Sequence, residues 1–149
     1  MKLKIELVAD IEETEIVVRC AEVDETVLKL QTMVSALSAP KLLFYKGQQE
    51  FYLPLDKILF FETEGERVYG HTANDAYLVK HRLYELEDIL PKTFTRAGKG
   101  TIVNTSRIHA INRNITSSSQ ISFAGTHKHV YVSRRYYGSL KEKLSDRRK

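Results

Sequence analysis

The feature of this sequence that most limits its fold is a series of short apolar runs separated by turn residues. Between residues 41 and 80 the runs are four to six residues long. The residue pairs that divide them are Lys46-Gly47, Glu64-Gly65 and Asn74-Asp75. Runs of this length suit β-strands, and such pairs suit the tight turns of hairpins. The pattern therefore predicts a mainly β fold built from antiparallel hairpins.

The same reasoning locates the individual elements. The predicted strands span residues 41–45, 50–53, 58–62, 67–72 and 77–80, and later ones span 101–103 with a second portion near 108–112, 120–123 and 129–132. Leu83, Leu86 and Leu90 share one helical face, and Pro91 ends that helix. A last amphipathic helix is expected to begin near Ser133. This order predicts a β-rich domain over residues 41–149.

Residues 1–40 differ from the rest and are predicted to form a separate β-β-α unit. Residues 2–7 alternate charged and apolar side chains, and residues 15–19 form a second apolar run. A helical pattern then follows Asp24, a suitable N-cap, and stops before Pro40. So short a unit buries little apolar surface alone, so it is expected to pack on the rest of the chain or on a second copy. We interpret it as a dimerisation or regulatory segment.

Positive charge is concentrated at one end of the chain. Residues 94–149 hold twelve basic and two acidic side chains, a net charge of +10, whereas residues 1–40 and 41–93 carry −4 and −2. A local charge of this size can neutralise phosphates and release their counterions. It indicates a nucleic-acid partner, although charge alone fits a solvated basic surface equally well.

Other classes of protein find little support in the sequence. No apolar run approaches the ~20 residues that cross a bilayer, and the N-terminus lacks a signal-peptide core. The single cysteine, Cys20, cannot form an internal disulfide, and its apolar neighbours favour burial. His127 and His129 have strand spacing, but no third metal ligand is evident, and no catalytic arrangement stands out. We expect a cytoplasmic protein that is not an enzyme and holds neither a metal nor a cofactor.

Two motifs carry the most specific information. The first runs from Phe94 to Asn104 with the sequence FTRAGKGTIVN, and Ile108 follows it. The second, VYVSRRY, begins at Val130. Together with the strand, loop, strand segment between them, they resemble the LytTR family of DNA-binding domains. The similarity extends over roughly residues 41–144.

The resemblance implies a mainly antiparallel β fold that places loops, rather than a recognition helix, in successive major grooves of double-stranded DNA. The three loops correspond here to residues 64–67, 96–101 and 133–135. The resemblance implies base contacts from Lys99 and Arg134 and phosphate contacts from Arg96 and Arg135. Arg67 is the expected contact of the first loop. The remaining members of the predicted DNA-binding set are Gly98, Gly100, Thr101 and Ser133.

The chemistry of these side chains agrees with that assignment. Arginine and lysine are the residues that hydrogen-bond guanine O6 and N7 in the major groove. Arg134 and Arg135 lie in the first turn of a predicted helix, where the helix dipole disfavours cations, so a bound phosphate or base edge would explain their position. Many family members carry a histidine and a serine where this chain has Gly98 and Gly100. These glycines either let the backbone approach DNA closely or leave the loop mobile until binding.

The resemblance also sets expectations for partners. Forty residues are too few for the receiver domain that often precedes such a domain, so control by a small membrane protein or by dimerisation is expected instead of aspartyl phosphorylation. A homodimer would suit the paired repeats that the family usually binds. Two alternatives stay open, a β-rich RNA-binding module and an interaction domain for acidic protein surfaces. In the first, Tyr131, Tyr136 and Tyr137 would stack on unpaired bases.

Overall fold

The computed structural model describes residues 1–38 and 42–147 of the chain. It divides into two compact units, residues 1–37 and 38–149. The boundary predicted at Pro40 lies outside the described residues. Among these residues, no helix is both long and apolar enough to cross a membrane.

The N-terminal unit contains one helix, α1 (Glu25–Ser38), within its described residues. The predicted N-cap is confirmed, because the Asp24 carboxylate accepts a hydrogen bond from the backbone N–H of Val27 at 3.0 Å. Val27, Leu30 and Val34 are half-buried and lie on one face, as the helical spacing predicted, whereas Leu37 is exposed.

The two strands predicted before α1 are wrong for the single chain. Residues 1–24 form neither strand nor helix, and they expose their apolar side chains, including Leu3, Ile5 and Leu7. A strand needs a hydrogen-bonding neighbour, and an isolated two-stranded hairpin is at best marginally stable in water. Cys20 is exposed as well, which corrects its predicted burial.

The second unit is β-rich, as predicted. Its strands are β1 (Phe44–Lys46), β2 (Gln49–Phe51), β3 (Phe60–Glu64), β4 (Arg67–His71), β5 (Ala76–Val79), β6 (Phe94–Gly98), β7 (Thr101–Asn104), β8 (Ile108–Asn112), β9 (Ser119–Phe123) and β10 (His129–Val132). Its helices are α2 (Leu83–Ile89) and α3 (Arg134–Arg147), with short 3-10 helices at Leu55–Lys57 and Thr105–Arg107.

All strand pairs are antiparallel and form two sheets. Seven strands follow the order β2-β1-β5-β4-β3-β7-β6, and three follow the order β10-β9-β8.

The predicted continuation of β7 into a second portion is wrong, because β8 belongs to the smaller sheet. Asn104, 1% exposed, ends β7; its amide donates to the Ile58 carbonyl and its oxygen accepts from the Ser106 N–H. The chain turns there through the 3-10 helix.

The larger sheet separates two apolar clusters. Phe61 of β3 and Ile102 of β7 belong to the cluster that includes α2. Their chain neighbours Phe60 and Val103 point the opposite way, into the cluster shared with the smaller sheet and α3. Successive side chains of a strand alternate between faces, so both faces of this sheet are buried at β3 and β7. This explains the continuous apolar runs in β3 and β7.

A contact between two turns also joins the sheets. The Lys128 Nζ, from the β9–β10 connection, lies 3.2 Å from His71 Nδ1 at the end of β4 and donates to the Asp75 carbonyl at 2.7 Å. The His71 ring stacks on Phe60 with a centroid separation of 4.4 Å. Burial and the nearby Lys128 charge lower the pKa of His71 to about 4. His71 is therefore neutral near pH 7.

Candidate nucleic-acid interface

The first two predicted loops are neighbours. The β3–β4 connection turns at Gly65, whose φ of 65° is the left-handed conformation that glycine adopts readily. The β6–β7 connection is the two-residue turn Lys99-Gly100. The backbone N–H of Thr63 donates to the Gly100 carbonyl at 2.9 Å, since β3 and β7 are adjacent in the sheet. Both turns therefore lie at the same end of the adjacent strands β3 and β7.

The third predicted loop joins the same surface. The backbone N–H of Ser133 donates to the Ala97 carbonyl at 2.8 Å, which ties the β10–α3 junction to β6. Ser133 directly precedes α3, and its carbonyl accepts from the N–H groups of Tyr136 and Tyr137 at 3.1 and 3.0 Å. Two backbone hydrogen bonds thus bring together three loops that are far apart in the sequence.

Most of the predicted cations are exposed on these loops. Lys99 occupies the tip of the second turn, Arg67 follows the first turn, and Arg134 and Arg135 open α3, all with exposed side chains. The Arg135 guanidinium lies 5.7 Å from the ring centroid of Tyr136, close enough for a cation–π contact. Gly98, Gly100, Thr101 and Ser133 are partly buried beside them.

Arg96 is placed differently from the other cations. Its side chain is only 20% exposed, and its Nε forms an ion pair with Glu87 of α2. Its Nη1 donates to the carbonyl oxygens of Gly98 and Lys99. Arg96 thus contacts the backbone of the turn that carries Lys99, and its Nε and Nη1 groups already have partners within the protein.

The two glycines of the second loop have different surroundings. A Cβ atom on Gly100 would lie 2.5 Å from Thr63 Oγ1, closer than Cβ atoms approach their neighbours, whereas a Cβ on Gly98 would meet nothing within 4 Å. Neither has a positive φ. The close approach of Thr63 favours glycine at position 100. Nothing in the surroundings explains glycine at position 98.

The strand β6 contains an irregularity that the sequence did not reveal. Arg96 pairs with Ile102 and Gly98 with Thr101, so Ala97 is an extra residue in the ladder. Ala97 is fully buried in the cluster below α3, while Arg96 points toward α2. Bulges re-aim side chains at sheet edges. This one presents the Ala97 carbonyl to Ser133.

Acidic side chains also lie near the first turn. Burial and the neighbouring Glu64 raise the pKa of Glu62, and His129 partly opposes that change. Glu64 and Glu66 are exposed at the turn itself. These groups reduce the positive potential around Arg67, so the basic character of the surface comes mainly from the second and third loops.

The tyrosines considered for base stacking differ in their exposure. Tyr136 and Tyr137 pack against the core, while Tyr131 is exposed beside His129 at a ring distance of 5.5 Å. Within the described ranges, no group of three or more histidine, cysteine or acidic residues is arranged to hold a metal ion. Sequence reasoning missed Thr63 and Glu87, whose contacts with the second loop arise only from the fold.

Comparison with known proteins identifies the domain. The LytTr DNA-binding domain family matches residues 48–145, about two thirds of the chain. The chain belongs to this family. The resemblance seen in the two motifs is thereby confirmed.

The chain is also similar to proteins named as transcriptional regulators and to a solved LytTr domain. An HTH-type transcriptional regulator of Staphylococcus aureus strain NCTC 8325 is 29% identical over 97% of this chain and 99% of its own length. A regulator of the same description from strain MRSA252 is 28% identical over the same shares. The solved LytTr DNA-binding domain of a putative methyl-accepting/DNA response regulator from Bacillus cereus has the same fold, with a TM-score of 0.65 and 24% identity. It covers 71% of this chain and 98% of its own.

Proposed function

We propose that this protein is a transcriptional regulator that binds double-stranded DNA sequence-specifically through the three loops. The main support for the proposal is that the three loops lie close together at one end of the strands. The Thr63–Gly100 and Ser133–Ala97 backbone hydrogen bonds hold them there. Exposed cations at the tips of loops can enter the major groove, and a rigid sheet behind them fixes their register. The names of the Staphylococcus aureus relatives support a role in transcription.

In this proposal the exposed cations divide into two groups. Lys99 and Arg134 stand at the tips of the second and third loops and read base edges, where each contributes roughly 1 to 3 kcal/mol of discrimination. Arg135 contacts phosphate, and Arg67 supplies the contact of the first loop. The polar and backbone groups of Gly98, Gly100, Thr101 and Ser133 line the DNA between these side chains.

The test is a competition measured by fluorescence anisotropy. Duplexes are enriched from a randomised pool on the full chain, and the best binder is titrated against random duplex and against RNA of matched length at several salt concentrations. Lys99→Ala plus Arg134→Ala should lower the specific affinity by about 10- to 100-fold for each residue and bring it close to the nonspecific level.

A matched control removes the same charge elsewhere. Lys57 precedes β3 and Lys92 precedes β6, so both lie at the end of their strand opposite the loops. Lys57→Ala plus Lys92→Ala should leave the preference for the selected duplex unchanged. The site assignment fails if both double variants behave alike. If RNA competes better than duplex DNA, the RNA-binding alternative replaces the proposal.

We further propose that the active form is a homodimer joined through the N-terminal unit. Leu3, Ile5 and Leu7 are 90%, 79% and 94% exposed and alternate with charged residues, and Ile16 and Val18 are exposed in the second apolar run. Several exposed apolar side chains within one short segment indicate an interaction site. The strand pattern lacks a partner among the described residues of its own chain, and the same segment of a second copy supplies one in a symmetric interface. Two linked domains would then bind paired sites with increased effective concentration.

A further inference from the structure

We infer that Arg96 and Glu87 act as a pair that positions the Lys99 turn for base reading, and that Arg96 is not a phosphate contact. This inference deepens the proposed function, on which its DNA-binding part rests. It replaces the role that the family resemblance suggested for Arg96. Three features support it: the hydrogen-bond partners of the Arg96 guanidinium, the limited support that the turn receives from other residues, and the orientation of Arg96 by Glu87.

Two of the three guanidinium nitrogens of Arg96 already have partners within the protein. Its Nε faces the Glu87 carboxylate, and its Nη1 faces the carbonyl oxygens of Gly98 and Lys99. A charged donor that bridges a carboxylate and two backbone carbonyls forms hydrogen bonds about twice as strong as neutral ones. A phosphate bound to Nε or Nη1 would have to break these contacts, and one bound anywhere on the guanidinium would lie near the Glu87 carboxylate, which repels it.

Apart from the pairing of Gly98 with Thr101 in the hairpin, this side of the turn is restrained chiefly by Arg96. A Cβ at Gly98 would touch nothing within 4 Å, so among the described residues the space on that side of Gly98 is not filled by another group. Glycine also leaves the backbone with more freedom than any other residue. The Gly100 side of the turn is held by Thr63. Arg96 supplies the hydrogen bonds that restrain the Gly98 and Lys99 side.

Glu87 orients the guanidinium of Arg96. It projects from α2 and is itself partly exposed, with 43% of its side chain accessible. An arginine side chain has several rotatable bonds, and an ion pair at one end of the planar guanidinium fixes the direction of the other N–H groups. α2 is thereby coupled to the loop that carries Lys99.

Substitutions at the two positions separate a positioning role from a phosphate contact. If Arg96 and Glu87 position the turn, then Arg96→Lys and Glu87→Gln should each reduce the preference for selected over random duplex by about tenfold. Asp88→Asn removes the same charge one residue along α2 and should leave the preference unchanged. If Arg96 binds phosphate, Arg96→Lys keeps the preference, Glu87→Gln strengthens binding to every duplex, and Arg96→Gln lowers the salt slope by about 0.9. That outcome would overturn the inference.

A measurement without DNA distinguishes failure of this inference from failure of the proposed function. The backbone amides of Lys99 and Gly100 report the order of the turn through their heteronuclear NOE values in the free full-length protein. We expect these values to fall in Arg96→Lys and Glu87→Gln and to stay at the wild-type level in Asp88→Asn. Unchanged values in both variants would refute the positioning role whether or not the chain prefers a duplex.

Discussion

The backbone N–H of Ser133 donates a hydrogen bond of 2.8 Å to the carbonyl of Ala97, a residue that is fully buried in the bulge of β6. The contact joins the beginning of α3 to the strand that leads into the Lys99 turn. Because it uses backbone atoms alone, side-chain substitutions at Ser133 preserve it, whereas proline at that position cannot supply the donor.

This contact gives the first prediction. Ser133→Pro should lower the free energy of unfolding by about 1 to 3 kcal/mol relative to Ser133→Ala, since the carbonyl of Ala97 loses its partner. Ser133→Ala keeps the N–H group and is the matched control for loss of the hydroxyl. Urea denaturation followed by circular dichroism provides the comparison. Equal stability of the two variants would show that the hydrogen bond contributes little.

Gly100 and Thr63 give the second prediction. Gly100→Ala forces its new methyl group against Thr63 Oγ1 and should cost about 1 kcal/mol, the lower end of overpacking effects, because the hydroxyl can rotate away. Adding Thr63→Ala should recover most of the loss. Gly98→Ala, which meets open space, is the control and should be neutral or slightly stabilising. Thermal melting of these variants tests this pattern, which a failure of Thr63→Ala to rescue would contradict.

The pKa of His71 gives a prediction for pH dependence. Because its folded-state pKa of about 4 lies below its ordinary value of 6.5, the unfolded chain takes up a proton first as the pH falls. The contribution of His71 is thus fully present above pH 6.5 and is lost as the pH falls from 6.5 to about 4. The ring is only partly buried, so after solvent screening we expect a loss of about 1 to 2 kcal/mol.

His71→Gln isolates this effect from the carboxylates that titrate in the same range. The variant carries no titrating group at position 71, so its stability should fall less steeply than that of the wild type between pH 6.5 and 4. Urea midpoints measured at half-unit intervals of pH provide the two curves. Parallel curves would mean that protonation of His71 is not linked to folding.

The exposed apolar side chains of Leu3, Ile5 and Leu7 predict that the chain dimerises in a concentration-dependent manner. Sedimentation equilibrium should show a dimer for the wild-type chain and a monomer for a variant with serine at Leu3, Ile5 and Leu7. Serine at Lys4 and Glu6 alters the opposite face of the same segment and should leave the dimer intact. A wild-type monomer at high concentration would refute the homodimer and leave this surface for another partner, such as the small membrane protein expected from the family.

The sequence predicted the elements whose signal is local. Hairpins with glycine at the turn, such as the one at Gly65, and the helix capped by Asp24 need only neighbouring residues to specify them. β6 was missed because its only large apolar residue is Phe94, and its pairing depends on β7 and on the bulge at Ala97. The strands predicted in residues 2–7 and 15–19 were wrong for the opposite reason. Their alternating pattern is typical of a strand, but among the described residues no neighbouring strand pairs with them.

The same distinction applies to the candidate site. The motifs indicated which loops and which cations to consider, because residue type and spacing are visible in the sequence. They assigned both Lys99 and Arg96 to the DNA, one to a base edge and the other to phosphate, because both are basic residues of one short segment. Only the position of Glu87, nine residues earlier along the chain and on a helix, shows that Arg96 faces the protein. Contacts of this kind depend on tertiary packing.

The tight fit between Gly100 and Thr63 has a consequence for how such domains diverge. Because a Cβ atom at position 100 would lie 2.5 Å from Thr63 Oγ1, a side chain can enter the second turn only if the residue on the adjacent strand becomes smaller or turns aside. Homologues that carry serine at the position of Gly100 should therefore carry a smaller residue at the position of Thr63 more often than homologues that keep glycine. The two positions are expected to evolve as a correlated pair.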